Sequence, residues 1–264
     1  RIHFRSPNTF EKPDPLLRWG TPLRARSTAL NRTDTSRALA AGNPDDALPP
    51  LVPRVISDET LWACTTCGYC EAACPIELEH LPRFYKMRQH QVLMEGAFPH
   101  ELKAVFEAYE VQSNPWGLPA EARADWAADH GVAVVQTPQD VEALDYLFYV
   151  GSAESFDPRA QKIAVAFAKI LRHAGVRFGI LGARETSTGE CVRRAGNEML
   201  FQQLARALVE TLNRLGVTKI VTCDPHAFNS LRNEYPEFGG RFEVIHHTQL
   251  IAQLLAERRL KVRQ

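Results

Sequence analysis

The second half of the chain alternates short apolar runs with long amphipathic stretches. The runs DYLFYV, VRFGIL and TKIVTC predict buried strands, and FEVIHH predicts a short strand that leads into a final helix. The stretches DPRAQKIAVAFAKILRHAG and GNEMLFQQLARALVETLNRLG carry apolar residues at helical spacing. Strands separated by helices need crossover connections, so residues 130–264 are predicted to form an α/β domain with a mainly parallel sheet.

The first of the two long helices has clear signals at both ends. Asp157 is the predicted N-cap, Pro158 takes the first helical position, and Gly175 lies beyond the end. Its buried face is predicted to consist of Ile163, Phe167, Ile170, Leu171 and Ala174.

Residues 57–118 are predicted to form a small α-helical domain. Ser57 and the acidic residues that follow it are typical of a helix start. LPRFYKMRQHQVLMEG and HELKAVFEAYEVQ then carry apolar residues at helical spacing. The breakers Pro115, Gly117 and Pro119 predict a linker that ends near residue 130.

Residues 1–56 differ from the rest because Pro, Arg, Asp and Ser dominate and no periodicity is sustained. They are predicted to form an extended or loosely ordered arm that orders against a partner. The three segments together predict an α+β multidomain chain, in which a helical domain precedes the α/β domain.

Composition narrows the class of protein. The 264 residues suffice for a large core, and the zero net charge provides no basic surface for nucleic acid. No apolar run approaches the roughly 18 residues of a membrane helix, and no secretory signal is visible. Four of the six cysteines are bunched in one stretch, which favours a reducing compartment and a metal site over a disulfide scaffold.

The bunched cysteines have the spacing C-x2-C-x2-C-x3-C-P, which is typical of ferredoxin-type iron–sulfur sites. Three thiolates two residues apart can bind three corners of one cubane, and Gly68 lets the backbone approach it. One 4Fe-4S cluster is therefore predicted, with zinc or idle thiols as the alternatives. The predicted ligands are Cys64, Cys67, Cys70 and Cys74, followed by Pro75.

The identity of the fourth ligand stays open at this point. In two-cluster ferredoxins the fourth cysteine of such a run binds the other cluster, and this chain has no second run. Cys74 is the favoured ligand. The alternatives are Cys191, Cys223 or a residue of a neighbouring subunit.

The loops after the predicted strands form a second candidate site, because ligands of open parallel sheets bind beyond the carboxyl ends of the strands. Cys191, Cys223 and His226 lie in these loops. Both cysteines are equally well explained as small buried hydrophobes. His246 and His247, at a strand-to-helix junction, are predicted to have a capping or packing role.

Several stretches together resemble the heterodisulfide-reductase-related iron–sulfur electron-transfer proteins, which have a helical ferredoxin domain and a cysteine-rich "CCG" domain. They are VISDETLWACTTCGYCEAACPIELEH, NPWG, YVGSAESFDPRAQKIA, TGECVRRAGNEMLFQ and CDPHAFNSLRNEYPEFGG. The resemblance covers about residues 50–255. It implies a subunit on the cytoplasmic side, peripheral to the membrane, that relays electrons between a flavin, thiol or hydrogenase partner and a quinone-linked membrane module.

The chain departs from this family pattern in two ways. Only one ferredoxin run is present, and the resemblance places the cluster ligands of the CCG domain at positions that hold no cysteine, namely Ser152, Ser187, Asp224 and Ala227. Such side chains do not replace soft thiolates, so the CCG domain is predicted to be degenerate. A replacement metal site would have to use Cys191, Cys223, Asp224 and His226.

Two functions remain in competition. In the first, the chain is a one-cluster electron relay, without catalytic residues of its own, within a larger redox complex. In the second, it is a structural or docking subunit whose cluster only stabilises the fold. A disulfide reductase is disfavoured by the lost cysteines, and Trp62 and Trp116 are candidate anchors for partner subunits.

Overall fold

A computed structural model describes residues 50–262, so most of the predicted arm lies outside the described residues. Contacts divide the described chain into two units. Unit 1 comprises residues 50–99 and Arg194–Asn197, and unit 2 comprises His100–Arg193 and residues 198–262. The helix that begins at Glu101, assigned from the sequence to the helical domain, belongs to unit 2. The limits of the ferredoxin-like and CCG-type domains stay predictions.

Unit 1 consists of short helices joined by turns. Ser57 caps the first helix as predicted, because its hydroxyl accepts a hydrogen bond from the Thr60 amide at 3.2 Å. Leu61 in that helix is completely buried, whereas the second helix buries none of its residues. The elements are a turn at Leu51–Val55, α1 (Asp58–Ala63), α2 (Tyr69–Ala72), α3 (Leu81–His90) and a wide turn at Gln91–Glu95.

Unit 2 is built on a five-stranded sheet in which every neighbouring pair is parallel. The strand order is β1-β3-β2-β4-β5, and the central strand β2 is almost entirely buried. The four predicted strands are present, and the two-residue β1 is an additional edge strand that the sequence pattern did not reveal. The bounds are β1 (Ala133–Val134), β2 (Tyr146–Tyr149), β3 (Phe178–Ile180), β4 (Lys219–Thr222) and β5 (Glu243–His246).

Helices connect the strands of unit 2 in the order that the periodicity predicts, which confirms the α+β layout. The longer ones are α4 (Glu101–Gln112), α8 (Pro158–His173), α10 (Glu198–Arg214) and α12 (His247–Ala256). The shorter ones are α5 (Asp125–Ala128), α6 (Pro138–Glu142), α7 (Ser152–Phe156), α9 (Glu190–Arg194) and α11 (Pro225–Asn229). Single turns occupy Ala120–Ala124, Gly182–Arg184, Ser230–Glu234 and Tyr235–Phe238.

Helix α8 confirms its predicted end signals but corrects its buried face. The Asp157 carboxylate accepts hydrogen bonds from two amides of the first turn, at 2.9 and 2.8 Å. Ile163, predicted to be buried, is 48% exposed, whereas the adjacent Ala164 is completely buried. The helix packs closely on the sheet through small side chains, so residue size misled the prediction. The buried face is Ala164, Phe167, Ala168 and Leu171.

Aromatic rings fill the centre of unit 2. Phe148 of β2 contacts Phe167 edge to face, with ring centroids 5.3 Å apart, and Trp126 at 6.3 Å. Trp126 belongs to the segment predicted to be a linker, and Arg123 in the same segment is only 2% exposed. The prolines and glycine of that segment therefore mark turns in a packed region. Across residues 50–262, no helix is both long enough and apolar enough to span a membrane.

Candidate iron–sulfur site and the carboxyl edge of the sheet

The four clustered cysteines lie on the first loop of unit 1 and on the helix that follows it. Cys64 is the C-cap of α1, Cys67 lies in the loop, Cys70 lies within α2, and Cys74 follows α2. Cys67 and Cys70 are exposed, and the other two are partly buried. None of them forms a disulfide, so all four thiols are available as ligands.

The backbone of this loop is arranged around the sulfur atoms. The Thr66 amide donates to Cys64 Sγ and the Leu78 amide donates to Cys74 Sγ, both at 3.4 Å. Gly68 has a φ of +76°, a conformation that other residues rarely adopt, and it forms the N-cap of α2. Amide donors to cysteine sulfur help to set the potential of iron–sulfur sites.

The thiols also act on one another. Burial raises the pKa of Cys70, and a charge on nearby Cys64 raises it further. Neighbouring thiolates therefore destabilise one another until a cation neutralises them. A metal centre would supply that charge.

The type of the side chains at this site, four thiols, supports a cluster more strongly than their positions do. In the part of the chain that the structure describes, no group of three or more His, Cys, Asp or Glu side chains is gathered to hold a metal ion. A cubane is bound at its four corners, so its ligands stand further apart than those of a single ion. Four soft thiols with amide donors fit an iron–sulfur cluster, and the assignment of Cys64, Cys67, Cys70 and Cys74 stays a prediction.

A buried arginine that sequence reasoning missed lies behind this loop. Arg88 of α3 is only 5% exposed, and its guanidinium donates to the carbonyls of Leu61 at 2.8 Å and Cys64 at 2.6 Å. It also donates to the Arg194 carbonyl at 2.9 Å. The guanidinium lies over the Trp62 ring, 5.2 Å from its centroid. No pattern in the sequence marks this role, because charged residues on an amphipathic helix normally face water.

The four positions where the resemblance places former cluster ligands lie at or beside the carboxyl edge of the sheet in unit 2. Ser152 accepts a hydrogen bond from Arg123 at 2.8 Å, and Ser187 accepts one from the Gly189 amide at 3.4 Å. Asp224 caps α11 through the His226 amide at 2.8 Å, and Ala227 is completely buried. Each position thus has a packing or hydrogen-bonding role that needs no metal.

The structure does not gather the suggested replacement site of Cys191, Cys223, Asp224 and His226 into a metal-binding group within residues 50–262. Cys191 is exposed on α9, and Cys223 is buried at the end of β4. Burial raises the pKa of Cys223, and the charges of Glu154 and Asp224 raise it further. His226 instead faces Glu190, with 3.2 Å between Nδ1 and Oε1.

Tyr109 contributes a further buried group to this edge. Burial raises the pKa of Tyr109 well above its ordinary value, and its hydroxyl interacts with Ser187 and Cys191.

His246 is the N-cap residue of α12, as the sequence suggests, and its amide donates to Gln249 at 3.0 Å.

A buried ion pair organises the same edge. Arg123 and Glu185 are both 2% exposed, and their Nη1 and Oε1 atoms are 3.0 Å apart. Glu185 also accepts hydrogen bonds from the amides of Val150 at 2.9 Å and Gly151 at 2.8 Å. The carboxylate therefore ties the loop after β2 to the loop after β3.

Glu154 places a buried carboxyl at this edge of the sheet. It is 7% exposed, and its Oε2 atom has no hydrogen-bond partner within residues 50–262. Burial raises the pKa of Glu154 to about 7. The charges of Asp224 and Glu185 also raise this pKa, whereas a hydrogen bond from the backbone amide of Glu154 itself lowers it. This carboxyl therefore holds its proton to a higher pH than an exposed glutamate does. Arg123, Glu154 and Glu185 have no motif in the sequence that predicts their burial.

Comparison with known proteins gives three informative relatives. The chain is 41% identical over 246 residues to the probable iron-sulfur-binding oxidoreductase FadF of Bacillus subtilis, covering 92% of this chain and 34% of the relative. It is 41% identical over 209 residues to the EtfAB:quinone oxidoreductase of Syntrophomonas wolfei, covering 78% and 29%. It is 25% identical over 258 residues to one subunit of the dihydromethanophenazine:CoB--CoM heterodisulfide reductase of Methanosarcina barkeri, covering 94% and 58%. The chain thus spans about a third of the length of the first two relatives.

No family model and no solved structure matches the chain. The named relatives nevertheless agree in class, since two of them are oxidoreductases and the third is a subunit of a reductase. The chain is therefore similar, over most of its own length, to iron–sulfur electron-transfer proteins. The similarity to the heterodisulfide reductase subunit extends over 94% of this chain at 25% identity, and the Bacillus subtilis relative is named iron-sulfur-binding.

Proposed function

We propose that this chain relays single electrons through one 4Fe-4S cluster within a larger redox complex. The observation that carries the proposal is the cysteine run on the exposed loop of unit 1, with amide donors on two of its sulfur atoms. The proposed ligands are Cys64, Cys67, Cys70 and Cys74. A bound cluster of this type supplies one-electron redox chemistry.

The residues of the chain define what this site can do. The segment from Cys64 to Cys74 is the proposed ligand loop. Cys67 and Cys70 are exposed, so a partner can approach this loop directly. Tyr69 and Ile76, beside these cysteines, are also exposed, at 42% and 70%. Two apolar side chains beside the ligand loop suit a docking partner that excludes water from the path of the electron.

The donor and acceptor are proposed by analogy with the relatives. One relative is named as an oxidoreductase between EtfAB and quinone, and another is named a probable membrane-anchored ferredoxin. We therefore place this chain between a soluble oxidoreductase partner and a quinone-linked membrane module, peripheral to the membrane on its cytoplasmic side. Within that complex the chain would carry electrons and the catalytic residues would lie elsewhere.

A structural role of the cluster is the second candidate function. Helix α2 has four residues and buries none of them, so unit 1 has little apolar packing at the ligand loop. Binding of a metal centre to such a loop contributes directly to folding free energy. The cluster would then stabilise the fold without carrying current.

Electron paramagnetic resonance of the reduced protein, with iron and sulfide counts, tests the cluster itself. The proposal expects the signal of a single cubane, with iron and sulfide in equal amounts. A zinc-loaded protein, a three-iron centre, or a second centre that survives in the Cys64→Ser/Cys67→Ser/Cys70→Ser variant would contradict it.

Substitutions at positions beside the cysteines distinguish relay from scaffold. Variants of Thr65 and Tyr69 are expected to shift the cluster potential without removing a ligand. If the chain carries current, turnover of the complex follows the potential. Turnover that ignores the potential, in a complex with full iron content, would favour the structural role.

A further inference from the structure

Arg88 brings a positive charge into the interior of unit 1 beside a proposed ligand. Arginine stays charged in proteins, and burial of a charge without an opposite charge is costly. Burial lowers the pKa of Arg88, while Cys64 and Tyr85 raise it. Across residues 50–262, no carboxylate forms an ion pair with this guanidinium.

The hydrogen bonds of Arg88 solvate its charge but do not neutralise it. All three acceptors are neutral main-chain carbonyls, and one of them belongs to Cys64. The guanidinium nevertheless lies next to a proposed ligand, since its Nη2 atom is 2.6 Å from the main-chain oxygen of Cys64. The uncompensated positive charge of Arg88 can therefore stabilise an anionic group that Cys64 helps to bind.

The backbone of α3 at Arg88 is closely approached by the segment Arg194–Asn197. Gly196 has a φ of +94°, and a Cβ atom there would lie 2.5 Å from the carbonyl carbon and oxygen of Arg88. Only glycine permits this approach of Arg194–Asn197 to helix α3. Because the helix is pinned at Arg88, the charge stays fixed relative to the ligand loop.

We propose that Arg88 is a redox-tuning residue, whose fixed positive charge beside Cys64 raises the reduction potential of the cluster that the cysteine run binds. Reduction adds one negative charge, and a buried cation nearby favours the more negative state. This inference rests on the proposed function, because it requires a cluster on that run. It goes beyond that function in assigning a role to a residue that is not a ligand.

The test is an EPR-monitored redox titration of the full chain and of three variants. Arg88→Gln removes the charge, Arg88→Lys keeps it, and Arg83→Gln removes an exposed charge from the same helix as a matched control. Arg88→Gln is expected to shift the one-electron equilibrium at least tenfold towards the oxidised form, which corresponds to about 59 mV. Arg88→Lys and Arg83→Gln are expected to stay within about threefold of the parent.

Each result then decides the matter. A loaded Arg88→Gln variant with the potential of the parent overturns the proposal. If Arg88→Gln fails to assemble a cluster, Arg88→Lys decides: a cluster with the potential of the parent supports a role of the charge, and a lost cluster or a lowered potential refutes it. A parent chain without iron and sulfide would overturn the proposed function and this inference together, whereas a loaded parent leaves only the inference at stake.

Discussion

The two units maintain their polar loops by different means. In unit 1, Cys67 of the loop and Cys70 of α2 are exposed, and α2 buries none of its residues. In unit 2 the corresponding edge lies over the almost fully buried strand β2 and is held by the Arg123–Glu185 ion pair. Unit 1 has a run of thiols and little packing at α2, whereas the edge of unit 2 is packed and holds no cysteine at the four positions where the resemblance places cluster ligands. The edge of unit 2 is therefore held by its own packing, whereas the cysteine segment of unit 1 is expected to depend on a bound metal centre for its order.

The largest effect is expected from removal of the thiols of unit 1. In the Cys64→Ser/Cys67→Ser/Cys70→Ser variant, iron should fall to background and amide exchange should accelerate throughout residues 58–95. Metal binding is folding free energy in small metal domains, about 10–16 kcal/mol for structural zinc in peptides. Hydrogen exchange measured by mass spectrometry should find unit 2 unchanged.

Cys191→Ser is the matched control, because it removes an exposed thiol of unit 2. It should retain all iron and the exchange pattern of the parent. Equal iron loss in the control and the triple variant would show that the two units do not differ in the way described above.

The core of unit 2 should be sensitive to a cavity, and its surface should not. Phe148→Ala removes a fully buried ring between Phe167 and Trp126 and is expected to cost about 3–5 kcal/mol in unfolding free energy. Ile163→Ala, on the exposed face of α8, should cost no more than about 0.5 kcal/mol. Urea denaturation followed by circular dichroism measures both. A large loss of unfolding free energy in Ile163→Ala would indicate that Ile163 is buried, as the sequence predicted.

Periodicity predicted the framework of unit 2 because a parallel sheet and its helices leave regular apolar patterns. The strand at 145–150, the cap at Asp157 and the alternation of strands with helices all follow from residues that are neighbours in sequence. The buried face of α8 was wrong because the choice between Ile163 and Ala164 depends on how closely the helix approaches the sheet. That distance is a property of the tertiary structure.

The candidate sites divide in the same way. The cysteine run is visible in the sequence because its four cysteines fall within eleven residues. Arg88 and Glu154 are not visible, because each has a charged side chain whose burial depends on distant segments. Arg88 meets Arg194 across the chain, and Glu154 is influenced by Asp224 and Glu185. Patterns within a short stretch of sequence do not indicate contacts between segments that are distant in the chain.

The next largest effect concerns the orphaned carboxyl of unit 2. The folded pKa of Glu154, about 7, lies above its ordinary value of 4.5, so the folded state binds this proton more tightly than the unfolded state. The contribution of this bound proton to the free energy of unfolding is fully present below pH 4.5 and is lost as the pH rises through 7. Glu154→Gln should therefore be more stable than the parent at pH 8, by about 1–3 kcal/mol, and similar to it at low pH.

Thermal unfolding between pH 4.5 and pH 8 measures this difference. Glu142→Gln, which changes an exposed carboxylate of the same unit, serves as the control and should parallel the parent at every pH. A Glu154→Gln variant with the pH profile of the parent would mean that Glu154 titrates in the folded protein as it does in the unfolded chain.

The smallest expected effect separates the charge of Asp224 from its capping role, at a position where the resemblance places a cluster ligand. Asp224 caps α11, and its charge is one cause of the raised pKa of Glu154, after burial. Asparagine is as good an N-cap as aspartate, so Asp224→Asn should change stability at pH 5 by no more than about 0.5 kcal/mol. The midpoint of the pH-dependent stability loss should nevertheless move to lower pH, because one of the charges that oppose ionisation of Glu154 is gone. Asp157→Asn, which changes the cap of α8, should leave that midpoint in place, since Asp157 is not among the groups that act on Glu154. If both variants moved the midpoint equally, the coupling would come from net charge, and Asp224 would retain only its capping role at the carboxyl edge of the sheet.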